Sequence, residues 1–206
     1  MHLVWDWNGT LLNDLELVVM ATNDAFARVG GPIVTADEHR RDFRRPVSDY
    51  YASVLDRPVS LEEFAVLDQV FHETYRAGLA GVALTGDARD AMAAWAGTQS
   101  LLSMWFHHEL LPTVERFDLS FIRIDGLREE LGGGFKAAHL KNHLTELGLE
   151  GPDVVLVGDS IDDADAASAV GARCVLYAGG FTDADRLRTC GVPVAETLVQ
   201  AVALAA

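Results

Sequence analysis

The sequence predicts a doubly wound α/β fold, a parallel sheet with helices on both faces, on three observations. First, short apolar runs end abruptly in polar residues. These are Leu3-Val4-Trp5 before Asp6, Leu101-Leu102 before Ser103, Val154-Val155-Leu156-Val157 before Gly158-Asp159, and Cys174-Val175-Leu176-Tyr177 before Ala178-Gly179-Gly180. Runs of this kind mark strands buried on both faces of a parallel sheet. Second, helical patterns lie between them, over Asp87–Ala96, Lys136–Leu147 and Ala164–Val170. Third, the polar breaks all fall beyond carboxyl ends of strands, where open parallel sheets hold ligands.

Taken in order, the first strand ends at Trp5, and residues 15–84 then break the rhythm. They show helical periodicity over Leu15–Val29, Pro46–Leu55 and Leu61–Leu79 and no strand pattern. Thr35-Ala36-Asp37-Glu38 and Ser60-Leu61-Glu62-Glu63 fit the capping box that opens a helix. A helical block placed directly after the first strand reads as an inserted all-helical cap over the strand ends. The expected division is an α/β core of residues 1–14 and 85–206 with a cap of residues 15–84. Within the core, a weaker strand is expected around Leu119–Ile124. Gly132-Gly133-Gly134 supplies a loop before the helix from Lys136, and the alanine-rich tail Ala201–Ala206 ends a last helix.

Half of the 206 residues are hydrophobic, enough for a sizeable core. Acidic residues outnumber basic ones 31 to 16, a formal charge of −15 that repels nucleic acid and anionic membranes. No apolar run approaches the roughly 20 residues that span a bilayer. Cys174 and Cys190 lack a C-x-x-C spacing, so neither a disulfide framework nor a zinc site is expected. The start of the chain lacks a signal-peptide pattern, and a cytoplasmic location is expected. Without export, the Asn8-Gly9-Thr10 sequon has no use. An anionic ligand would meet a repulsive field here and would need a metal ion or local basic residues to draw it in. Only two lysines, Lys136 and Lys141, are present.

Asp6-Trp7-Asn8-Gly9-Thr10-Leu11-Leu12-Asn13-Asp14 resembles the first motif of the haloacid-dehalogenase superfamily, D-x-D-G-T-L-x-D, and Gly158-Asp159-Ser160-Ile161-Asp162-Asp163 resembles its fourth, G-D-S-x-x-D. The likeness runs from Asp6 to about Gly180 and is similar to phosphoglycolate-phosphatase-like members with a small helical cap. It implies a Mg²⁺-dependent hydrolase of a small phosphate monoester, with Asp6 as nucleophile forming an aspartyl phosphate. Asp6, Asp159 and the Asn8 backbone carbonyl would bind Mg²⁺, with Asp163 supporting the metal site. Gly9 gives the tight turn, and Thr10 bonds a phosphoryl oxygen or holds the loop. Ser103 matches the second-motif hydroxyl, with Ser100 as competitor, and Lys136 the third-motif cation, with Lys141 as competitor. In the implied cap loop, Arg44 and Arg45 are candidates to grip a carboxylate or second phosphate of the substrate. The implied partner is a small phosphorylated metabolite, and the protein a monomer or homodimer.

One departure matters. Phosphatases of this superfamily carry Asp where this chain has Asn8, and an amide cannot exchange the leaving-group proton. Losing such a group typically costs roughly 10²–10⁴ in rate. His107 and His108, just after Ser103, are candidates to replace it. Phosphonoacetaldehyde hydrolases also lack this Asp, but they need a cap lysine, and residues 15–84 contain none. Dehalogenases lack the paired fourth-motif aspartates present here. The alternatives to an active phosphatase are a catalytically impaired phosphometabolite-binding protein and a phosphotransferase or mutase.

Overall fold

The computed structural model describes residues 1–128 and 136–206, so the expected Gly132-Gly133-Gly134 loop lies outside the described residues. Six strands form one parallel sheet: β1 (His2–Trp5), β2 (Thr98–Phe106), β3 (Ile124–Leu127), β4 (Val154–Gly158), β5 (Arg173–Tyr177) and β6 (Val194–Ala195). Their order is β3-β2-β1-β4-β5-β6. The helices described are α1 (Leu15–Ala27), α2 (Ala36–Asp42), α3 (Val47–Val54), α4 (Leu61–Gly78), α5 (Ala88–Ala94), α6 (His107–Arg116), α7 (Lys136–Leu147), α8 (Ile161–Val170), α9 (Ala184–Arg188) and α10 (Leu198–Ala205).

Strand alternation sorts the core into two layers. Leu3 and Trp5 of β1 join Leu101, Val155, Val157 and Val175 on one face, covered by α5, α6 and α10. Val4 joins Leu102, Leu156 and Leu176 on the other, covered by α7, α8 and α9. Trp5 and its neighbours are fully buried, each contributing about 1.5–3 kcal/mol on the usual area scale. The chain fills one side of β1 with β2 and β3, then crosses to β4 on the other. Trp5 is in register with both Leu101 and Val157. The winding therefore reverses at β1 and β4, and open parallel sheets hold ligands beyond the carboxyl ends of such strands.

The helices between β1 and β2 have an apolar cluster of their own, built from Ala25, Phe26, Val34, Tyr50, Tyr51 and Leu67. The helices α1 and α4 link it to the sheet, because Leu17, Val18 and Tyr75 belong to the β1 layer. Entry and exit of this block run side by side: Asn13 N–H donates to Ala83 O (3.0 Å) and Thr85 N–H to Leu11 O (2.9 Å).

Several elements differ from expectation. The third strand is Ile124–Leu127 rather than Leu119–Ile124, because Asp125 and Gly126 break its apolar pattern. β2 continues past Ser103 to Phe106, with a register irregularity against β3. Helix α6 escapes the sequence pattern because Pro112 lies inside it. Helix α8 begins at Ile161, its first turn being the acidic stretch itself. Strand β6, two residues long, gives too short a signal. Both cysteines are free thiols. Among the described residues no helix is long and apolar enough to cross a membrane.

Candidate active site

Asp6 follows β1 directly, and its N–H donates to Val157 O (2.8 Å), fixing it at the β1–β4 seam. Asp159 follows β4, and Asp163 lies in the first turn of α8. All three are buried, and each offers an oxygen within 4.8 Å of the others. Lys136, the first residue of α7, is also buried. Its ammonium donates to Asp6 Oδ1 and lies 2.5 Å from Asp163 Oδ1. Three carboxylates facing one ammonium leave two formal negative charges uncompensated when all are ionised. Burial pushes Asp6 up to about 6, against the pull of Lys136. Burial, reinforced by the Asp6 and Asp163 carboxylates, holds Asp159 well above the usual range. Burial would lower Lys136, but Asp163 and Asp6 outweigh it and raise it.

The surrounding loops are fastened to these carboxylates. Asp159 accepts the Phe181 N–H (2.6 Å) at Oδ2 and the Thr10 hydroxyl (3.2 Å) at Oδ1. Asp163 Oδ2 caps α8 by accepting the Ser160 N–H (3.0 Å) and hydroxyl (2.6 Å). Gly9 sits at φ +73°, and a Cβ there would run into the Asp159 carboxylate, so no side chain fits. At Gly158 a Cβ would strike the Asp163 carboxylate.

Asn8 is held on every side. Its amide donates to Asp14 Oδ2 (2.9 Å) and Tyr75 Oη (2.8 Å), and its Oδ1 accepts from the Ser103 hydroxyl (3.2 Å). Asp14, buried, also accepts the Gly9 N–H (2.7 Å) and the Tyr75 hydroxyl (2.6 Å). Ser103 thus lies beside Asn8, whereas its competitor Ser100 is turned to His2 and His143. Lys141 is exposed on α7, away from the carboxylates.

The two cap arginines do not converge. Arg45 pairs with Asp162 (3.0 Å), and Arg44 donates to Asp42 O (3.0 Å) and, more weakly, to Ser53 Oγ. His107 accepts the Gly126 N–H, and His108 is 68% exposed, so neither faces Asn8. Four neighbours, Tyr75, Arg40, Phe181 and His39, escaped the sequence reading of the site. Tyr75 of α4 reaches Asn8 and Asp14. Arg40 of α2 donates to Gly180 O (2.9 Å) and Gly179 O (3.1 Å), clasping the loop that carries Phe181. The Phe181 ring in turn borders the buried His39 of α2 (6.2 Å between centroids). Only Asp14, the last residue of the first motif, carried a local signal.

A hydrolase-like family model, described as HAD-hydrolase-like, matches residues 135–201. A haloacid dehalogenase-like hydrolase of Streptococcus pneumoniae superposes with a TM-score of 0.85 at 17% identity, covering 100% of this chain and 98% of that one. A predicted phosphoglycolate phosphatase from Haemophilus somnus gives 0.79 at 16% identity, covering 99% and 97%. An Asp-to-Asn mutant of CbbY from Rhodobacter sphaeroides, in complex with xylulose-1,5-bisphosphate, gives 0.72 at 20% identity, covering 97% and 95%. No curated protein matches the sequence.

Proposed function

We propose that this chain, haloacid dehalogenase-like in fold along its whole length and in sequence pattern over residues 135–201, is a Mg²⁺-dependent phosphatase of small phosphate monoesters. The supporting observation is the meeting of Asp6, Asp159, Asp163 and Lys136 where the winding of the sheet reverses. Residues 1–14 and 85–206 form the catalytic core in this reading, and 15–84 the cap. A buried all-oxygen donor set with surplus negative charge suits a hard divalent cation. Asp6, Asp159 and the Asn8 carbonyl would hold it, Asp163 would support them, and the ion would offset phosphoryl charge.

The chain's own residues then divide the work. The Asp6 carboxylate attacks phosphorus, the ester P–O bond breaks, and water later releases phosphate from the aspartyl phosphate. Lys136 keeps Asp6 oriented and offsets charge on the phosphoryl oxygens, and the Ser103 hydroxyl, on turning from Asn8 Oδ1, hydrogen-bonds them. Asn8 gives the leaving oxygen no proton, since an amide has none to transfer and its hydrogens are already donated to Asp14 and Tyr75. Substrates with good leaving groups are therefore favoured, because phosphoryl transfer depends chiefly on positioning and electrostatics. The same engaged amide favours a second reading, in which the aspartyl phosphate persists and is passed to an acceptor other than water.

Phosphate release from a panel including p-nitrophenyl and acetyl phosphate, with and without Mg²⁺, tests the proposal. Release that requires Mg²⁺ and vanishes in Asp6→Asn is expected; release equal to that control on every substrate would refute a phosphatase role on this panel.

A further inference from the structure

Away from the Asp6 cluster, a chain of four hydrogen bonds, each 2.7 Å long, runs from the exposed Thr98 through the buried Ser100 and His143 to the half-buried Asp125. It links Thr98 and Ser100 of β2, His2 of β1, His143 of α7 and Asp125 of β3. The protons can be assigned by elimination. Asp125 is held below the usual carboxylate range by Arg123 and His143, against the effect of burial, so it can only accept. His143 therefore donates from Nδ1. Burial lowers the affinity of His143 for a second proton, which favours a bare Nε2 that accepts the Ser100 hydroxyl proton. Ser100 Oγ must then accept from His2 Nε2–H. Burial, with His143 beside it, pushes His2 down to about 4, which leaves its Nδ1 to accept from Thr98.

The Ser100–His143–Asp125 order matches that of a nucleophilic triad, but Ser100 is 0% exposed and its only proton is committed. No substrate reaches it. What the chain does instead is fasten α7. Lys136, Leu140, His143 and Leu144 share one buried helix face. Leu140 and Leu144 give that face depth in the apolar layer, but greasy contacts allow sliding and rotation. The two bonds of His143 are directional and permit neither. A slip of one residue would move the helix by about 1.5 Å and turn it by about 100°. Either displacement takes the Lys136 ammonium out of bonding range of Asp6 and Asp163.

We propose that His143, held by Asp125 and Ser100, is a positioning residue that sets the register of α7 and thereby seats the Lys136 ammonium between Asp6 and Asp163. Its relevance to catalysis rests on the phosphatase reading; the positioning itself does not. Arg123, which immediately precedes β3, braces the arrangement, pairing with Asp125 and with Glu146 of α7 (3.5 Å).

The two lysines of the chain make the test direct, because both lie on α7, one buried and one exposed. Brief acetylation followed by mass spectrometry gives the ratio of Lys136 to Lys141 labelling. The unaltered protein should label almost entirely at Lys141. In His143→Leu the ratio should rise by about tenfold or more, the scale of one lost hydrogen bond to a charged group. Leu144→Ala, which loses packing on the same face but no hydrogen bond, should raise it less. Equal ratios in His143→Leu and Leu144→Ala, or no change in folded His143→Leu, would overturn the proposal. Should His143→Leu fail to fold, nitrogen-15 NMR of the unaltered protein still decides. A neutral His143 protonated at Nδ1 is expected, and an Nε2–H tautomer or an imidazolium at neutral pH would break the chain. Neither readout uses turnover, so a protein that releases no phosphate yet shows the expected ratio and tautomer would fail the functional reading alone.

Discussion

At the scale of single residues, Asn8 decides more than its conservative appearance suggests. An Asp at this position would put a carboxylate against the Asp14 carboxylate, which now accepts the Asn8 amide at 2.9 Å. It would also remove a donor from a buried acceptor. Asn8→Asp should therefore lower stability to urea by about 1–3 kcal/mol, and Asn8→Asp/Asp14→Asn, which restores one amide to the pair, should recover most of the loss. Equal stability of Asn8→Asp and the parent would show that the amide–carboxylate bond contributes nothing. The placement of Asp6 and Asp159 at strand ends was legible in the sequence, because each directly follows an apolar run, and Asn8 and Gly9 follow Asp6 in the chain. The partners of Asn8 were not. Tyr75 lies 67 residues away, and nothing in its helical pattern separates a core tyrosine from one that reaches the site.

Among the elements, the same contrast holds. The parallel strands β1, β4 and β5 and helix α7 were readable because each is a compact run of one periodicity. By contrast, β3 carries Asp125, which serves His143 and Arg123 rather than the apolar layer, so the apolar pattern points a few residues upstream. The seat of α2 on the core was equally hidden, since Arg40 meets Gly180 across 140 residues. The fork of Arg40 spans two successive carbonyls on the loop that supplies Phe181 N–H to Asp159. Arg40→Ala should cost about 1–3 kcal/mol of stability, and Arg40→Lys should recover little of it, because an ammonium cannot match the planar fork. Full recovery by lysine would show that charge alone holds the loop.

For the whole molecule, the formal charge of −15 and the buried surplus of carboxylates both oppose compactness. A divalent cation at the carboxylates would relieve the local part of that repulsion. Mg²⁺ should thus raise the melting temperature beyond sodium chloride of equal ionic strength, by an amount equivalent to about 2.7 kcal/mol at one hundred times its Kd. Chelation should reverse the effect, and Asp159→Asn should abolish it. An identical response to both salts would mean that general screening, rather than a site, stabilises the protein.

The most direct test of Asp6 as the reacting group is to look for the phosphoryl group itself. If the proposed mechanism holds, Asn8 supplies no proton exchange, water attack on an aspartyl phosphate would be slowed by roughly 10²–10⁴, and the intermediate should accumulate. Protein mixed with acetyl phosphate and Mg²⁺, quenched in acid and digested, should carry one phosphoryl group on the peptide containing Asp6, absent from Asp6→Asn. Phosphate release with no modified Asp6 peptide at any quench time, or a phosphoryl group on another residue, would contradict the account.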